Sequence, residues 1–407
     1  SRAVQSWPSI YIPPFEGEVP ELKLRVTEGK LSAEKIFKIF VCGITPYDAT
    51  HLGHALTYIY FDLISRYQLL DKKKLVFIEN VTDVDDPLFE RAKKDGRNWQ
   101  ELAQSQITLF QRDMTALRVI PPRSLDLVSE TIDLVLKGVE SLQQKGLLYE
   151  IDGDYYFDIS DSLSDLPLSY INALKIFSER GGDPQRAGKR EKLDPLVWKR
   201  KRAGEPSWNS KFGPGRPGWH IECAVIAERG VHNDSTNDSI LNLQGGGEDL
   251  IFPHHFMTKV IAEKIFDKKF SEAYDHCALL GLDGEKMSKS RGNLVFVNEL
   301  LNSGWDAMEI RYALINRDFK KESMWTPDEL LQARAAISVI REALSRENCA
   351  DPKSLIEKML IALSDDMDTL SALGHLAHWA QTTIAEGGQF NSGAVSRFID
   401  SALGLAL

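Results

Sequence analysis

Two short segments, far apart in the chain, carry side chains suited to phosphate chemistry. The first, His51-Leu-Gly-His54, follows an apolar run at residues 36–41 that predicts a buried parallel strand, and a helical pattern continues from Leu56 to Leu70. The histidines therefore stand at a helix N-terminus, where free backbone N–H groups and the helix dipole favour an anion such as a triphosphate. The second segment, Lys286-Met-Ser-Lys-Ser290, is a glycine-flanked loop whose two ammonium groups suit the charge that develops on a leaving pyrophosphate.

Each segment alone is compatible with an ordinary turn or a solvated loop. Together, and in this order, they resemble the HIGH and KMSKS signatures of class I aminoacyl-tRNA synthetases. The resemblance is to cysteinyl-tRNA synthetases over about residues 36–372, where Asn80–Asp86 and Gly245–His255 also match. It implies an α/β fold with a Rossmann catalytic domain, an inserted connective region and a C-terminal helical domain. It also implies that ATP activates cysteine as cysteinyl-adenylate and that pyrophosphate is released.

The pattern of apolar residues is consistent with that organisation, because strand and helix signals alternate in two blocks separated by a polar, Gly- and Pro-rich stretch. We expect a helix over Leu125–Gln144, a hairpin over Leu147–Ile159, and loops rather than a second core over Asp161–Pro217. The expected regions are an N-terminal arm (1–35), the first Rossmann half (36–120), the connective insertion (121–217), the second Rossmann half (218–300) and the helical domain (301–407).

Cys42, Cys223 and His254 are widely separated, and their spacing alone does not define a metal site. In cysteinyl-tRNA synthetases, however, the matching Cys, Cys and His hold Zn²⁺, so the resemblance implies one zinc ion on these residues. A further glutamate ligand of the synthetases corresponds to Thr258 here, and three protein ligands would leave a place for a substrate thiolate. The candidates for that fourth position are Thr258, His255, Cys277 and water.

The resemblance also assigns the groups around the reaction. His51 and His54 would stabilise the first transition state from one side, and Lys286 and Lys289 from the other. Mg²⁺ is expected to accompany ATP. The residues that match the ATP and cysteinyl-adenylate pocket are Cys42, Gly43, Ile44, Thr45, Thr57, Asn80, Val81, Thr82, Trp219, Gly247, Glu248, Asp249 and Leu280.

Three features resemble the mycothiol ligases, relatives of the synthetases that join cysteine to the amine of glucosaminyl-inositol. The segment Cys42-Gly-Ile-Thr-Pro-Tyr-Asp-Ala-Thr-His51 has their form of the first signature. The hexapeptide Glu179-Arg-Gly-Gly-Asp-Pro184 is characteristic of them, and the helical tail is short. The resemblance implies that the sugar amine attacks cysteinyl-adenylate, expels AMP and forms an amide. Glu179, Arg180 and Asp183 are the expected acceptor contacts.

The composition of the chain limits the binding partners and the cellular location that we expect for it. A net charge of −10 disfavours a protein built to hold a polyanion such as tRNA. The chain lacks a run of about 18 apolar residues, residues 1–7 do not resemble a signal peptide, and four scattered cysteines do not form a disulfide framework. We expect a cytoplasmic monomer acting on L-cysteine, ATP and glucosaminyl-inositol, without nucleic acid or membrane. The alternatives are a cysteinyl-tRNA synthetase, an inactive binding relative and a nucleotidyltransferase.

Overall fold

The computed structural model describes residues 6–234, 238–288 and 291–407. Lys289 therefore lies outside the described residues. The strands are β1 (Glu28–Gly29), β2 (Ile36–Val41), β3 (Lys74–Val81), β4 (Ser124–Leu127), β5 (Leu148–Ile151), β6 (Asp154–Phe157), β7 (Leu196–Arg200), β8 (Gly215–Pro217), β9 (Ser239–Gly247), β10 (Lys269–Cys277), β11 (Leu280–Leu282), β12 (Glu285–Lys286) and β13 (Ser323–Trp325). The helices are α1 (Leu52–Leu70), α2 (Asp86–Lys94), α3 (Trp99–Ala116), α4 (Ile132–Gln144), α5 (Tyr170–Glu179), α6 (Trp219–Val231), α7 (Phe256–Phe266), α8 (Val297–Asn302), α9 (Ala307–Ile315), α10 (Asp328–Ser345), α11 (Pro352–Ser364), α12 (Thr369–Glu386) and α13 (Gly393–Leu403).

A six-stranded sheet forms the centre of the molecule, in the order β1-β10-β9-β2-β3-β4. Its neighbouring strands are parallel, except that the short β1 pairs antiparallel with β10. The chain winds from β2 towards β4 on one side and later places β9 and β10 on the other. The carboxyl ends of β2 and β9 therefore meet at a topological switch point, where open α/β sheets bind ligands.

The predicted strand at residues 36–41 is confirmed, and both of its faces are covered, as its continuous apolar run requires. Ile39 and Val41 pack into a core shared with α1 and the C-terminal helices, whereas Phe40 packs into a second core with α4, α6 and α7. Helix α1 is buried along most of its length between the sheet and helices α9 and α13. Residues 301–407, which the sequence predicts to be helical, contain helices α9–α13 together with the short strand β13.

The start of the segment predicted as a helix over Leu125–Gln144 differs from the prediction. Residues 125–127 form strand β4, paired with β3 through Leu125 and Glu79, and the helix begins only at Ile132. The spacing of apolar residues in this stretch fits both a helix and a strand. The strand forms because these residues pair with β3, and a local sequence pattern carries no information about that pairing. The hairpin is confirmed, with its turn at Asp152 and Gly153, whose φ angles are 51° and 86°.

The inserted stretch after the hairpin is more ordered than the predicted loops. Strands β7 and β8 extend the hairpin into a four-stranded antiparallel sheet, β5-β6-β7-β8. Trp198 on β7 is fully buried and donates its indole N–H to the Gly213 carbonyl, 3.2 Å away. The apolar side chains of this four-stranded sheet belong to the core that also contains α4 and α6. The sheet therefore packs onto the helices of the main sheet and does not form a separate core. Within the described ranges, none of the helices combines the length and hydrophobicity needed to cross a bilayer.

A fully buried ion network fixes α1 against the C-terminal helices. The Asp62 carboxylate lies 2.8 Å from Nε of Arg66 and 2.6 Å from Nη2 of Arg311, and all three side chains are inaccessible to solvent. Its second oxygen accepts the Ile120 backbone N–H at 2.7 Å. Burial acts to raise the pKa of Asp62, but the two guanidinium groups outweigh it and lower that pKa. Arg311 also donates to the Leu403 carbonyl, at 2.7 Å.

Replacing Asp62 by Asn should lower the free energy of unfolding by about 3–5 kcal/mol, because two buried guanidinium groups lose their counter-charge. Urea denaturation of both proteins at pH 7 measures the difference. The difference should shrink as the pH falls below about 4, where the unfolded aspartate is protonated. Glu342→Gln is the matched control, since Glu342 forms an exposed pair with Arg346 and should contribute no more than about 1 kcal/mol. Equal effects of the two substitutions would contradict the role assigned to the network.

Candidate active site and metal centre

Most of the predicted site residues that the structure describes line one cleft of about 380 Å³ at the carboxyl ends of β2 and β9, although His254 does not. A larger, mostly apolar groove of about 880 Å³ lies between residues 15–20 and helices α11 and α13, and it contains none of them. The predicted residues that line the cleft are Cys42, Gly43, Ile44, Thr45, His51, His54, Thr57, Thr82, Trp219, Cys223, Gly247, Asp249, Leu280 and Lys286.

His51 caps helix α1 with its own ring. Its Nδ1 accepts the backbone N–H groups of Gly53 and His54, at 3.1 and 3.4 Å, and the Leu52 N–H donates to the Val295 carbonyl at 2.9 Å. The first backbone N–H groups of the helix are therefore already bonded, which differs from the expectation that they are free to hold an anion. What the helix N-terminus still offers is its dipole and the outward edge of the His51 ring.

Both histidines are neutral at physiological pH. Burial, with the nearby His54 and Lys286, lowers the pKa of His51 to about 2. His54 is open to the cleft, yet desolvation by the surrounding walls lowers its pKa to about 4. The two rings stack with centroids 3.7 Å apart. Because Nδ1 of His51 is an acceptor, its proton is on Nε2. His51 can therefore donate a hydrogen bond without adding a positive charge.

The second signature reaches the cleft through Lys286. Its ammonium group lies 3.2 Å from Oδ2 of Asp249, and both side chains remain partly open to solvent. Met287 is buried and anchors the loop beneath them. Residues just after the loop pair with the first signature, since Val297 donates to the Thr50 carbonyl at 3.0 Å. The two signatures, more than 200 residues apart in sequence, are thus tied together by backbone hydrogen bonds.

Asn80 and Val81 do not line the cleft, although they were predicted there. The Asn80 side chain accepts the Gly43 N–H at 2.9 Å and donates to Thr82 Oγ1 at 3.1 Å, so it supports two residues that do line it. A Cβ at Gly43 would lie 1.6 Å from the Asn80 carbonyl oxygen, and glycine is therefore needed for this close approach. Glu248 does not line the cleft either; its carboxylate accepts a hydrogen bond from the backbone N–H of Leu279, which does line it.

Cys42, Cys223 and His254 come together as a buried cluster whose ligand atoms all lie within 4.8 Å of one another. The two sulfur atoms are 3.9 Å apart, and Nε2 of His254 is 3.3 Å from the Cys223 sulfur. Ligands of a tetrahedral Zn²⁺ with bonds of about 2.3 Å to sulfur stand about 3.8 Å apart. The hydrogen bond to Cys42 and burial raise the pKa of Cys223, whereas a bound cation would favour its thiolate. Donor types and spacing thus fit zinc.

The surroundings of the cluster hold His254 in place. Its ring stacks on Trp219 at 3.9 Å between centroids, and its Nδ1 lies 2.9 Å from Nδ1 of His220. Of the candidate fourth partners, His255 approaches the cluster, with Nε2 3.2 Å from the Cys42 sulfur. Thr258 instead donates to the His220 carbonyl at 3.1 Å, and the Cys277 thiol is directed at the Ala278 carbonyl.

The three expected acceptor contacts lie in the insertion, at the end of α5, and none lines the cleft. Glu179 is exposed. Arg180 donates to the backbone carbonyls of Asp249 and Phe252. Asp183 accepts hydrogen bonds from the Tyr156 hydroxyl and from Lys189, the latter at 3.1 Å. Arg180 and Asp183 are therefore already engaged within the protein.

Several residues of the cleft were not predicted. Four of them lie inside the first signature segment and two inside the second, and could have been included on that ground, whereas the others depend on the folded path of the chain. These residues are Tyr47, Asp48, Ala49, Gly53, Tyr58, Leu250, Leu279, Met287, Ser288 and Leu294.

Comparison with known proteins identifies the family of the chain. The family described as the tRNA synthetases class I (C) catalytic domain matches residues 29–335. A Streptomyces griseus protein named L-cysteine:1D-myo-inositol 2-amino-2-deoxy-alpha-D-glucopyranoside ligase is 43% identical, with 99% of this chain and 100% of the relative aligned. A Kribbella flavida protein of the same name is 42% identical over 99% and 100%. Methionyl-tRNA synthetase of Mycobacterium tuberculosis, solved with methionyl-adenylate, shares the fold, with a TM-score of 0.61, 15% identity, and 91% and 89% coverage.

The structure predicts that His51 keeps a neutral ring with its proton on Nε2 from pH 8 down to about pH 5, because its pKa is lowered to about 2. Nitrogen chemical shifts of histidine-labelled protein distinguish the two tautomers and the charged ring, and a His51→Asn variant identifies the signal. A His51 signal that changed to the charged ring near pH 6.5, the ordinary value for histidine, would contradict the assigned state.

Proposed function

Because the chain belongs to the tRNA synthetase class I (C) catalytic-domain family, we propose that it joins L-cysteine to the amine of glucosaminyl-inositol in an ATP-dependent reaction of mycothiol biosynthesis. The proposal is supported by the names of relatives aligned over their full length. The observation that carries it is the placement, in one cleft, of a neutral histidine pair, Lys286, and the two cysteines Cys42 and Cys223, which cluster with the buried His254.

In the first step, the cysteine carboxylate attacks the α-phosphorus of ATP. The bond between the α-phosphorus and the bridging oxygen breaks, and pyrophosphate leaves with the electron pair. His51 and His54 donate hydrogen bonds to the phosphate oxygens, and Lys286 offsets the charge that develops on pyrophosphate. We assign Lys289, which lies outside the described residues, the same task. Asp249 and the end of β9 hold the nucleotide, and Mg²⁺ accompanies its phosphates.

We propose that Cys42, Cys223 and His254 hold one Zn²⁺. When bound there, zinc supplies a soft Lewis acid that prefers the thiolate of cysteine to the hydroxyl of serine. Trp219 orients His254 by stacking, and the Gln244 amide, 3.6 Å from the Cys42 sulfur, adds a donor to that ligand. His255 approaches the same sulfur, with its Nε2 3.4 Å from the Gln244 amide nitrogen. The protein groups thus fix the metal ligands before substrate arrives.

In the second step, the sugar amine attacks the activated carbonyl, AMP leaves, and an amide forms. The acceptor approaches from the side of the cleft that the insertion borders. Glu179 is the carboxylate of the hexapeptide that remains exposed for an ammonium group, and we propose it as an acceptor contact. For Arg180 and Asp183, whose hydrogen bonds lie within the protein, we propose that they shape this border.

The alternative function, charging of cysteine tRNA, has less support. The relatives named above are ligases, and the net charge of −10 is unfavourable for a tRNA contact. We propose that the chain acts as a monomer without nucleic acid. We also propose a reducing compartment, the cytoplasm, since Cys42, Cys223, Cys277 and Cys349 all carry free thiols.

The purified protein should contain about one zinc ion per chain, and Cys42→Ala and Cys223→Ala should each lose most of it, because a three-ligand site cannot spare a thiolate. Elemental analysis by inductively coupled plasma mass spectrometry measures the content directly. Cys349→Ala is the matched control, as Cys349 is also buried but lies among the C-terminal helices. Full zinc occupancy in both ligand variants would refute the site.

Given cysteine and ATP, the protein should convert glucosaminyl-inositol to its cysteinyl amide, with AMP and pyrophosphate, and leave cysteine tRNA uncharged when both acceptors are present. Mass spectrometry and tRNA acylation assays follow the two products. The ligation rate should change little between about 50 and about 200 mM salt, whereas a tRNA acceptor would bring a loss of orders of magnitude. Efficient charging of tRNA with no amide product would establish the synthetase function instead.

A further inference from the structure

The hexapeptide Glu179–Pro184 ends helix α5 with a defined geometry. Gly181 has φ of 86°, and the Gly182 N–H donates to the Phe177 carbonyl at 2.8 Å, the 6→1 bond of a Schellman cap. A Cβ at Gly182 would lie 2.5 Å from the Phe177 ring. The two glycines therefore fix the direction in which the chain leaves the helix, and with it the direction of the neighbouring Arg180 side chain.

Arg180 spans from the insertion to the second Rossmann half. Its Nη1 donates to the Asp249 carbonyl and, at 2.8 Å, to the Phe252 carbonyl. One guanidinium nitrogen thus bonds both ends of the short turn that leads from β9 to the metal centre. Helix α5 also packs against residues 251–255. The other end of the hexapeptide is anchored within the insertion, because Asp183 accepts hydrogen bonds from Tyr156 on β6 and from Lys189.

The turn that Arg180 holds carries a side chain of the nucleotide site. Asp249 lines the cleft and pairs with Lys286 at 3.2 Å. His254 follows the same turn, but it is fixed independently by its stack on Trp219 and by His220. A change at Arg180 should therefore reach Asp249 and the nucleotide, and leave the metal cluster in place.

We propose that Arg180 is a positioning residue for ATP, which sets Asp249 through the two carbonyl groups. It then acts in the adenylation step, where no acceptor is present. The proposal rests on the proposed function in one respect, namely that Asp249 contacts the nucleotide. It assigns the hexapeptide a task beyond acceptor binding, since its glycines and Asp183 hold Arg180 in the orientation that the turn requires.

The test uses cysteine-dependent pyrophosphate–ATP exchange, which measures adenylation without acceptor. Arg180→Gln should raise KM for ATP on the order of tenfold, the effect of losing a charged hydrogen-bond donor. KM for cysteine, zinc content and kcat should each change by less than about threefold, because the metal cluster has its own supports. Arg180→Lys should recover part of the ATP affinity. Arg190→Gln is the matched control, since Arg190 lies over the Tyr149 ring in the same insertion and should behave as the wild type.

Two results would overturn the proposal. Unchanged exchange with a raised KM for glucosaminyl-inositol in the complete reaction would make Arg180 an acceptor contact. A lower kcat and a lower Tm with unaltered KM values would make it a structural residue only. Calorimetric titration of each variant with ATP gives the same comparison without any reaction. If the wild type fails to exchange with cysteine, the proposed function fails, and the titration still decides whether Arg180 controls nucleotide binding.

Discussion

The N-terminus of helix α1 is the constraint on which the cleft depends. A buried helix must satisfy its first N–H groups locally, and here His51 Nδ1 and the Val295 carbonyl accept them. This cap has two consequences. It forces the remaining proton of His51 onto Nε2, and it ties the chain just after the second signature to the first. The helix itself is held by Asp62 between two arginines, so the position of the cap follows from packing far behind the cleft.

The hydrogen-bond donors of the cleft add little net positive charge to it. His51 and His54 are neutral because desolvation lowers their pKa values to about 2 and about 4. Lys286 stands beside Asp249 and is therefore partly balanced before a nucleotide arrives. Neutral donors and a paired cation act most strongly where negative charge increases during the reaction. A cleft of this kind favours the transition state of adenylation more than the bound substrates.

Local sequence patterns correctly predicted those elements that are specified by their own residues rather than by contacts with distant parts of the chain. The strand at 36–41, the hairpin over 147–159 and the helical character of residues 301–407 are of this kind. Residues of strand β4 were predicted as helix. The local pattern does not show that they pair with β3, whose residues lie some 45 positions earlier in the chain. The cluster of Cys42, Cys223 and His254 was found through resemblance, since spacing carries no signal when three elements supply one ligand each. Cap bonding at His51 could not be predicted either, because it depends on a ring orientation.

The insertion links the two ends of the proposed reaction. Its sheet buries Trp198 in the core shared with α4 and α6, so it is packed directly against the helices of the main sheet. From that base, Asp183 and the glycines of the hexapeptide direct Arg180 to the turn between β9 and His254. In the proposed reaction, Cys42, Cys223 and His254 would define the cysteine side of the cleft, and the two signatures would define its nucleotide side. Arg180 contacts the turn that lies between these two sides, so an acceptor that entered along the insertion would meet both.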